Sequence, residues 1–225
     1  MNQNWLKFIG FDLLWLGFIC YAFLLAPPDQ PDTFSLIQNL STGQWAGINP
    51  LVIALFNLMG IWPLVYTCLL LVDGRGQNLA AWIFVVASFA VGAFAILPYL
   101  ALRRSPAQFA GPVNGVLKLT ESRWIGVALG LAAIALLSYG LLKGDWSDFW
   151  QQWQTSRFIH VMSLDFCLLS LLFPVLVPDD LARRGMSQRG LWLAIALIPL
   201  LGPIAYLSLR APLDSQAELL PIAAE

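Results

Sequence analysis

YLALRR occupies residues 99–104 and YLSLRA occupies residues 206–211. The near-identity extends upstream. Asp73 to Tyr99 is 26 positions, and Asp180 to Tyr206 is 26; Asn57 to Tyr99 is 42, and Asp165 to Tyr206 is 41. Around these anchors the first half reads GINPLVIALFNLMGIWPLVYTCLLLVDGRGQ, then Trp82, then GAFAILPYLALRR. The second reads RFIHVMSLDFCLLSLLFPVLVPDDLARRG, then Trp192, then PLLGPIAYLSLRA. The pattern describes a duplicated unit. It divides the chain into a first repeat over 1–105, a linker over 106–119, a second repeat over 120–213 and a tail over 214–225.

The segments between the anchors are apolar. Of the 225 residues, 59% are hydrophobic and 11% charged, against about 25% charged in soluble proteins. A bilayer core of about 30 Å takes about 20 apolar residues per helix. Six runs fit: 5–26, 50–72, 81–102, 125–142, 158–177 and 191–210. They are continuously apolar rather than alternating, which predicts helices and not a barrel. Trp5, Trp45, Trp82, Trp124 and Trp192 stand at run ends, where indole rings prefer the headgroup level. The first run is longer than a signal-peptide core and lacks an A-x-A site, so it reads as a retained helix.

The expected fold is therefore an all-α polytopic membrane protein with about six transmembrane helices. Three helices per unit is odd, so the second unit would enter upside down, giving a 3+3 inverted repeat. The turns at Asp73–Gln77 and Pro178–Arg189 would then lie on opposite sides. With six crossings the basic residues divide five against seven, which leaves the orientation open.

Few residues in these runs carry chemistry. Asp165 sits about eight residues into the fifth run, where a charge costs roughly 2.5–3.5 kcal/mol on insertion scales. It reads as an interhelical packing anchor or as a proton, substrate or pigment site. Asn57 occupies the corresponding place in the first half, and a pseudo-two-fold axis would bring the two together. Asp12 is a second acid within an apolar run; Lys7, five positions away, is a poor helical partner, and solvation near the helix end, the favoured reading, and a functional role are its two readings. His160 is the only histidine. It lies about 140° around the helix from Asp165, so the two are not a same-face dyad. Interfacial hydrogen bonding and axial ligation of a chlorophyll magnesium are its two readings.

Trp146, Phe149, Trp150 and Trp153 fall at i, i+3, i+4 and i+7. Asp145, Ser147, Asp148, Gln151 and Gln152 fill the opposite side. This predicts an amphipathic interfacial helix. Its polar face is acidic, so attraction to anionic lipid is not the cause. Simple anchoring and a pigment- or protein-docking face are its two readings.

Cys20, Cys68 and Cys167 show no metal or redox spacing and read as apolar fillers. No nucleophile set, phosphate loop or histidine cluster is present, so no catalytic or metal-binding residue is expected. No basic patch is dense enough for nucleic acid. No cofactor is required, and a pigment remains possible.

The stretch from Ser156 to Gly185 followed by LIPLLGPIAYLSLR resembles an uncharacterised membrane-protein family of cyanobacteria and plant chloroplasts, over most of the chain. Each half also resembles small three-helix bacterial membrane proteins of unknown function. In those an NP, a mid-helix Asp, an acidic-Gly-Arg turn and a final YLR recur. Here Asn49-Pro50 and Asp73-Gly74-Arg75 match, with Asn57 where the Asp is expected. More distantly, His160, Asp165, Pro199 and Gly202-Pro203 resemble the plastid neoxanthin-deficiency proteins, which are linked to carotenoid metabolism. The resemblance implies a thylakoid or plasma membrane of a cyanobacterium. The expected function is an accessory or assembly protein binding membrane complexes, lipid or pigment. A carotenoid- or isoprenoid-handling enzyme or carrier is the alternative, and a small transporter ranks third.

Overall fold

A computed structural model describes residues 3–104 and 114–213; most of the expected linker, and the whole tail 214–225, lie outside them. Among the described residues the chain is all-helical. In order, the helices are α1 (Gln3–Cys20, extended by a π turn over Tyr21–Leu25), α2 (Thr33–Thr42), α3 (Pro50–Asp73), α4 (Ala81–Val91), α5 (Ala93–Leu102) and α6 (Gly115–Thr120). They continue with α7 (Arg123–Lys143), α8 (Trp146–Thr155), α9 (Arg157–Leu172), α10 (Val177–Arg183), α11 (Arg189–Ala196) and α12 (Leu201–Leu209).

Among the described residues four helical stretches are long and apolar enough to cross a membrane: Trp5–Leu25, Pro50–Gly76, Arg123–Lys143 and Arg157–Arg183. The last runs α9 into α10 through a 3₁₀ turn at Phe173–Val175. That turn contains Pro174, which has no amide hydrogen to give an α-helix.

The two remaining expected crossings are broken. Residues 81–102 divide into α4 and α5 at Gly92, whose φ is +51°. The halves fold back on each other. The rings of Phe84 and Tyr99 are 5.4 Å apart, whereas 15 residues of straight helix span about 22 Å. At the open end, Gln77 holds both backbone groups of Arg104, at 2.7 Å each. Residues 189–209 do the same about Leu200 (φ +57°), with the rings of Trp192 and Tyr206 5.5 Å apart. Each expected crossing is thus a hairpin of half-length helices that starts and finishes at one end of the molecule.

The same geometry does not confirm the six-span inverted repeat. A hairpin returns the chain to the end it left, so among the described residues each half holds two helices long enough to cross, and both halves run the same way. The turns after α3 and in α10, expected on opposite sides, lie together. Arg103 of the first half pairs with Asp179 of the second, and Arg183 of the second with Asp73 of the first.

Packing follows from small and aromatic side chains, because lipid tails give no hydrophobic drive between helices. On α7, a Cβ at Gly126 would lie 2.5 Å from Ser208 of α12, and one at Gly140 would lie 2.7 Å from Ala54 of α3. These glycines admit both neighbours closely. In the first half α1 lies along α5 instead through Phe18 stacked on Phe94 at 4.3 Å, and through Trp15 Nε1 donating to the Phe94 carbonyl at 2.9 Å. Trp62, Tyr66, Tyr99, Phe173 and Tyr206 are the largest side chains of the buried centre. A smaller core of Leu40, Val52, Ile53 and Ile159 holds α2 and α8 across the other end.

Candidate functional site

Apart from Asp165, the charged residues that the bundle buries among the described residues gather at the end where the hairpins open. They form two quartets, each of two acids and two arginines. In the first, Asp73 has a side chain only 1% exposed. It accepts from Tyr99 Oη at 2.6 Å and from Arg103 in a two-pronged contact at 2.9 and 2.7 Å. Arg183 adds a further contact to Asp73, and Asp179 accepts from Arg103.

In the second quartet Asp180, also 1% exposed, accepts from Tyr206 Oη at 2.7 Å and from Arg184 Nε at 2.8 Å. Arg210 reaches Asp180 at 3.4 Å and Glu121 at 2.8 Å. Arg184 grips both oxygens of Glu121 at 2.7 and 2.8 Å. Arg210 also donates to the backbone carbonyls of Cys68 and Thr120, at 3.2 and 3.1 Å.

The correspondence is residue for residue. Asp, Tyr and Arg stand at 0, +26 and +30 in both halves, as Asp73, Tyr99, Arg103 and as Asp180, Tyr206, Arg210. Four residues after each Asp sits its helical neighbour, Gln77 or Arg184, which also bonds it. The YLALRR and YLSLRA motifs therefore supply the Tyr and Arg that close each hairpin onto the preceding long helix. Sequence reasoning found the Asp–Tyr spacing but assigned these residues no role. The signal present was an arginine four residues after each tyrosine.

Both quartets are neutral, which is what burial demands: a lone buried charge costs several kcal/mol, and paired neighbours offset it. Burial disfavours the charged guanidinium of Arg184. Glu121 and Asp180 outweigh that and hold its pKa above the ordinary arginine value.

Asp165 is buried at the apex of the first hairpin. Its Oδ1 accepts from the Ala93 amide at 2.7 Å. It thus caps the N-terminus of α5, where unbonded amides and the helix dipole favour an acceptor. A Cβ on Gly92 would lie 1.9 Å from Asp165 Oδ2, so the apex glycine is needed for space as well as for its φ of +51°. The expected pairing with Asn57 is not formed: the Asn57 amide donates to Ile53 O of its own helix at 2.8 Å. Since α3 and α9 run in the same sense, matching positions need not meet at an axis.

His160 is buried near the opposite end. Its ring nitrogens bond Tyr21 Oη at 2.8 Å and the Trp153 carbonyl at 2.9 Å. The Trp153 indole lies over it at 4.2 Å. With both nitrogens engaged, His160 ties α1, α8 and α9 together.

The amphipathic helix expected around Trp146–Trp153 is α8. Asp145 caps it by accepting from the Ser147 and Asp148 amides. Its aromatic stripe divides. Phe149 and Trp153 pack on the small core, while Trp146 and Trp150 are 57% and 56% exposed. Asp12 is half-buried on α1 and carries no hydrogen bond or ion pair among the described residues. Among the described residues no group of three His, Cys, Asp or Glu side chains is placed to hold a metal ion.

No protein-family model, no curated protein and no solved structure matches the chain.

Proposed function

We propose that the chain is an integral membrane protein in which four helices cross and two helical hairpins dip in from one face and return. The halves are a tandem duplication related by an axis along the membrane normal. The basic residues support this arrangement. Lys7, Arg75, Arg103, Arg104, Lys118, Arg123, Arg183, Arg184, Arg189 and Arg210 belong to the hairpin-opening end, and only Lys143 and Arg157 to the other. Six crossings divide the same twelve residues five against seven. Four crossings with two hairpins give ten against two, a bias that favours the cytoplasmic side or its equivalent for the quartet end.

Within that membrane the chain acts as an accessory or assembly protein, with α1 as its docking helix. Asp12 carries this reading. It lies seven residues past Trp5, about 10 Å along the helix, hence within the hydrocarbon. A charge there costs roughly 2.5–3.5 kcal/mol unless it is partnered. The fold has buried and matched eight other charged side chains but leaves this carboxyl half-exposed on an outer helix. A partner helix offering a hydrogen-bonding group satisfies it. The resemblance described above makes a photosynthetic membrane the proposed setting.

The test is gentle detergent purification of the tagged full chain from such a membrane, with subunit and pigment analysis. A stoichiometric partner should co-purify, and Asp12→Leu should release it while Asp12→Asn retains it. A chain that purifies alone and colourless, or a partner indifferent to Asp12→Leu, overturns the reading.

A further inference from the structure

We infer that the cleft between the start of α1 and the end of α5 is a binding site for an anionic phospholipid. This rests on the membrane placement above and adds a ligand to it. The cleft measures about 360 Å³ and is lined by Trp5, Phe8, Ala101, Leu102, Arg103 and Arg104. Its walls are of two kinds. Trp5 and Leu102 are 63% and 50% exposed and, with Phe8 and Ala101, offer an apolar surface to an acyl chain. Arg103 and Arg104 complete the lining, at the level where Trp5 marks the headgroup region.

Charge selects the occupant. Beside the cleft, Arg103 and Arg183 are already matched by Asp73 and Asp179, so that quartet contributes no net charge. Arg104 is exposed. Its backbone is held by Gln77, but its side chain has no hydrogen bond or ion pair among the described residues. One cation without a partner among the described residues, at the headgroup level beside an apolar wall, complements a phosphodiester on a hydrocarbon tail. Each basic residue near an anionic membrane surface contributes attraction of about 1 kcal/mol, roughly fivefold in affinity. Gln77 holds the Arg104 backbone, so that only its side chain is left to be ordered on binding.

The experiment reconstitutes the full chain in phosphatidylcholine vesicles holding graded fractions of phosphatidylglycerol brominated near the headgroup. The chain has ten tryptophans, so the Trp5 signal is taken as the difference from a Trp5→Phe variant. Brominated phosphatidylcholine in the same series measures contact with bulk lipid. Half-maximal quenching of Trp5 by the anionic lipid is expected at a mole fraction at least about fivefold lower than by the zwitterionic one. Arg104→Gln should remove that preference without changing thermal unfolding or the quenching by phosphatidylcholine. Equal quenching by both lipids overturns the site, as does a preference that survives Arg104→Gln. Two other occupants are tested in the same vesicles. Inorganic phosphate that erases the preference at constant ionic strength makes the occupant a free anion and overturns the lipid site. A preference that emerges only after deletion of 214–225 overturns it too, making the occupant the chain's own tail, which carries Asp214, Glu218 and Glu225. The assay needs no partner protein, so its failure is separate from failure of the Asp12 reading.

Discussion

At Asp165 one carboxylate oxygen accepts the first free amide of α5 at the hairpin apex. Asp165→Asn keeps an acceptor oxygen in place. Asp165→Leu leaves the Ala93 amide buried and unbonded, at a cost of about 1–3 kcal/mol. Thermal unfolding in detergent should therefore show Asn near the parent and Leu clearly below it. Equal stability of the two would show that the cap is dispensable. The tyrosines allow a matched pair of tests. Tyr99→Phe and Tyr206→Phe each remove a hydrogen bond to a buried carboxylate, worth about 1.5–3 kcal/mol. They should destabilise to similar extents because their partners and distances correspond, at 2.6 and 2.7 Å. If only one of the two lowers the unfolding temperature, the quartets are not equivalent in energy.

Helix by helix, the apolar runs were legible, and so were α8 and its aromatic face. The reversals at Gly92 and Leu200 were not. Hydropathy records that residues 81–102 and 191–210 avoid water, and that holds whether they cross once or go in and come back. Gly92 lies in AVGAF without a flanking proline or polar residue, and Leu200 is no turn residue by intrinsic preference. What fixes the reversal is distant in sequence: Asp165 against Gly92, and the arginines against Asp73 and Asp180. The stripe on α8 was read as one face, but its residues divide by what lies beneath them. Trp150→Glu should leave stability within about 0.5 kcal/mol, as for exposed positions in general. Trp153→Glu should cost several times more, because it places a carboxylate in the small core beside His160. Tryptophan quenching by shallow lipid-borne quenchers should exceed that by deep ones in the parent, with Trp146 and Trp150 as the main reporters. Quenching by an aqueous quencher alone would place α8 in water.

Over the whole molecule, the duplicated spacing was visible and its symmetry was not, because the symmetry depends on counting crossings. Cysteine labelling in a background without Cys20, Cys68 and Cys167 counts them directly. Asn78→Cys and Ser187→Cys should label from one side, and Ser41→Cys and Gln154→Cys from the other. Labelling of Asn78→Cys and Ser187→Cys from opposite sides would restore the six-crossing arrangement and remove the ten-against-two division of basic residues.

The exchange of arginines between the halves also has a consequence in time. Asp73 receives one of its two guanidinium partners from Arg183, 110 positions later in the chain. At roughly 5–20 residues per second, the ribosome has made Asp73 about 5–20 s before that partner exists. During this interval the first half has its quartet half-built and its hairpin closed only by its own contacts, those of Tyr99 and Arg103 with Asp73 and of Gln77 with the Arg104 backbone. A chain stopped at residue 122 stays in that state permanently, and should be cleared by membrane proteases faster than the full-length protein. Supplying residues 123–225 as a separate polypeptide should rescue it, since the missing contacts are side-chain contacts that need no peptide link. Pulse-chase lifetimes of the fragment, alone and co-expressed, measure how long an unfinished quartet is tolerated.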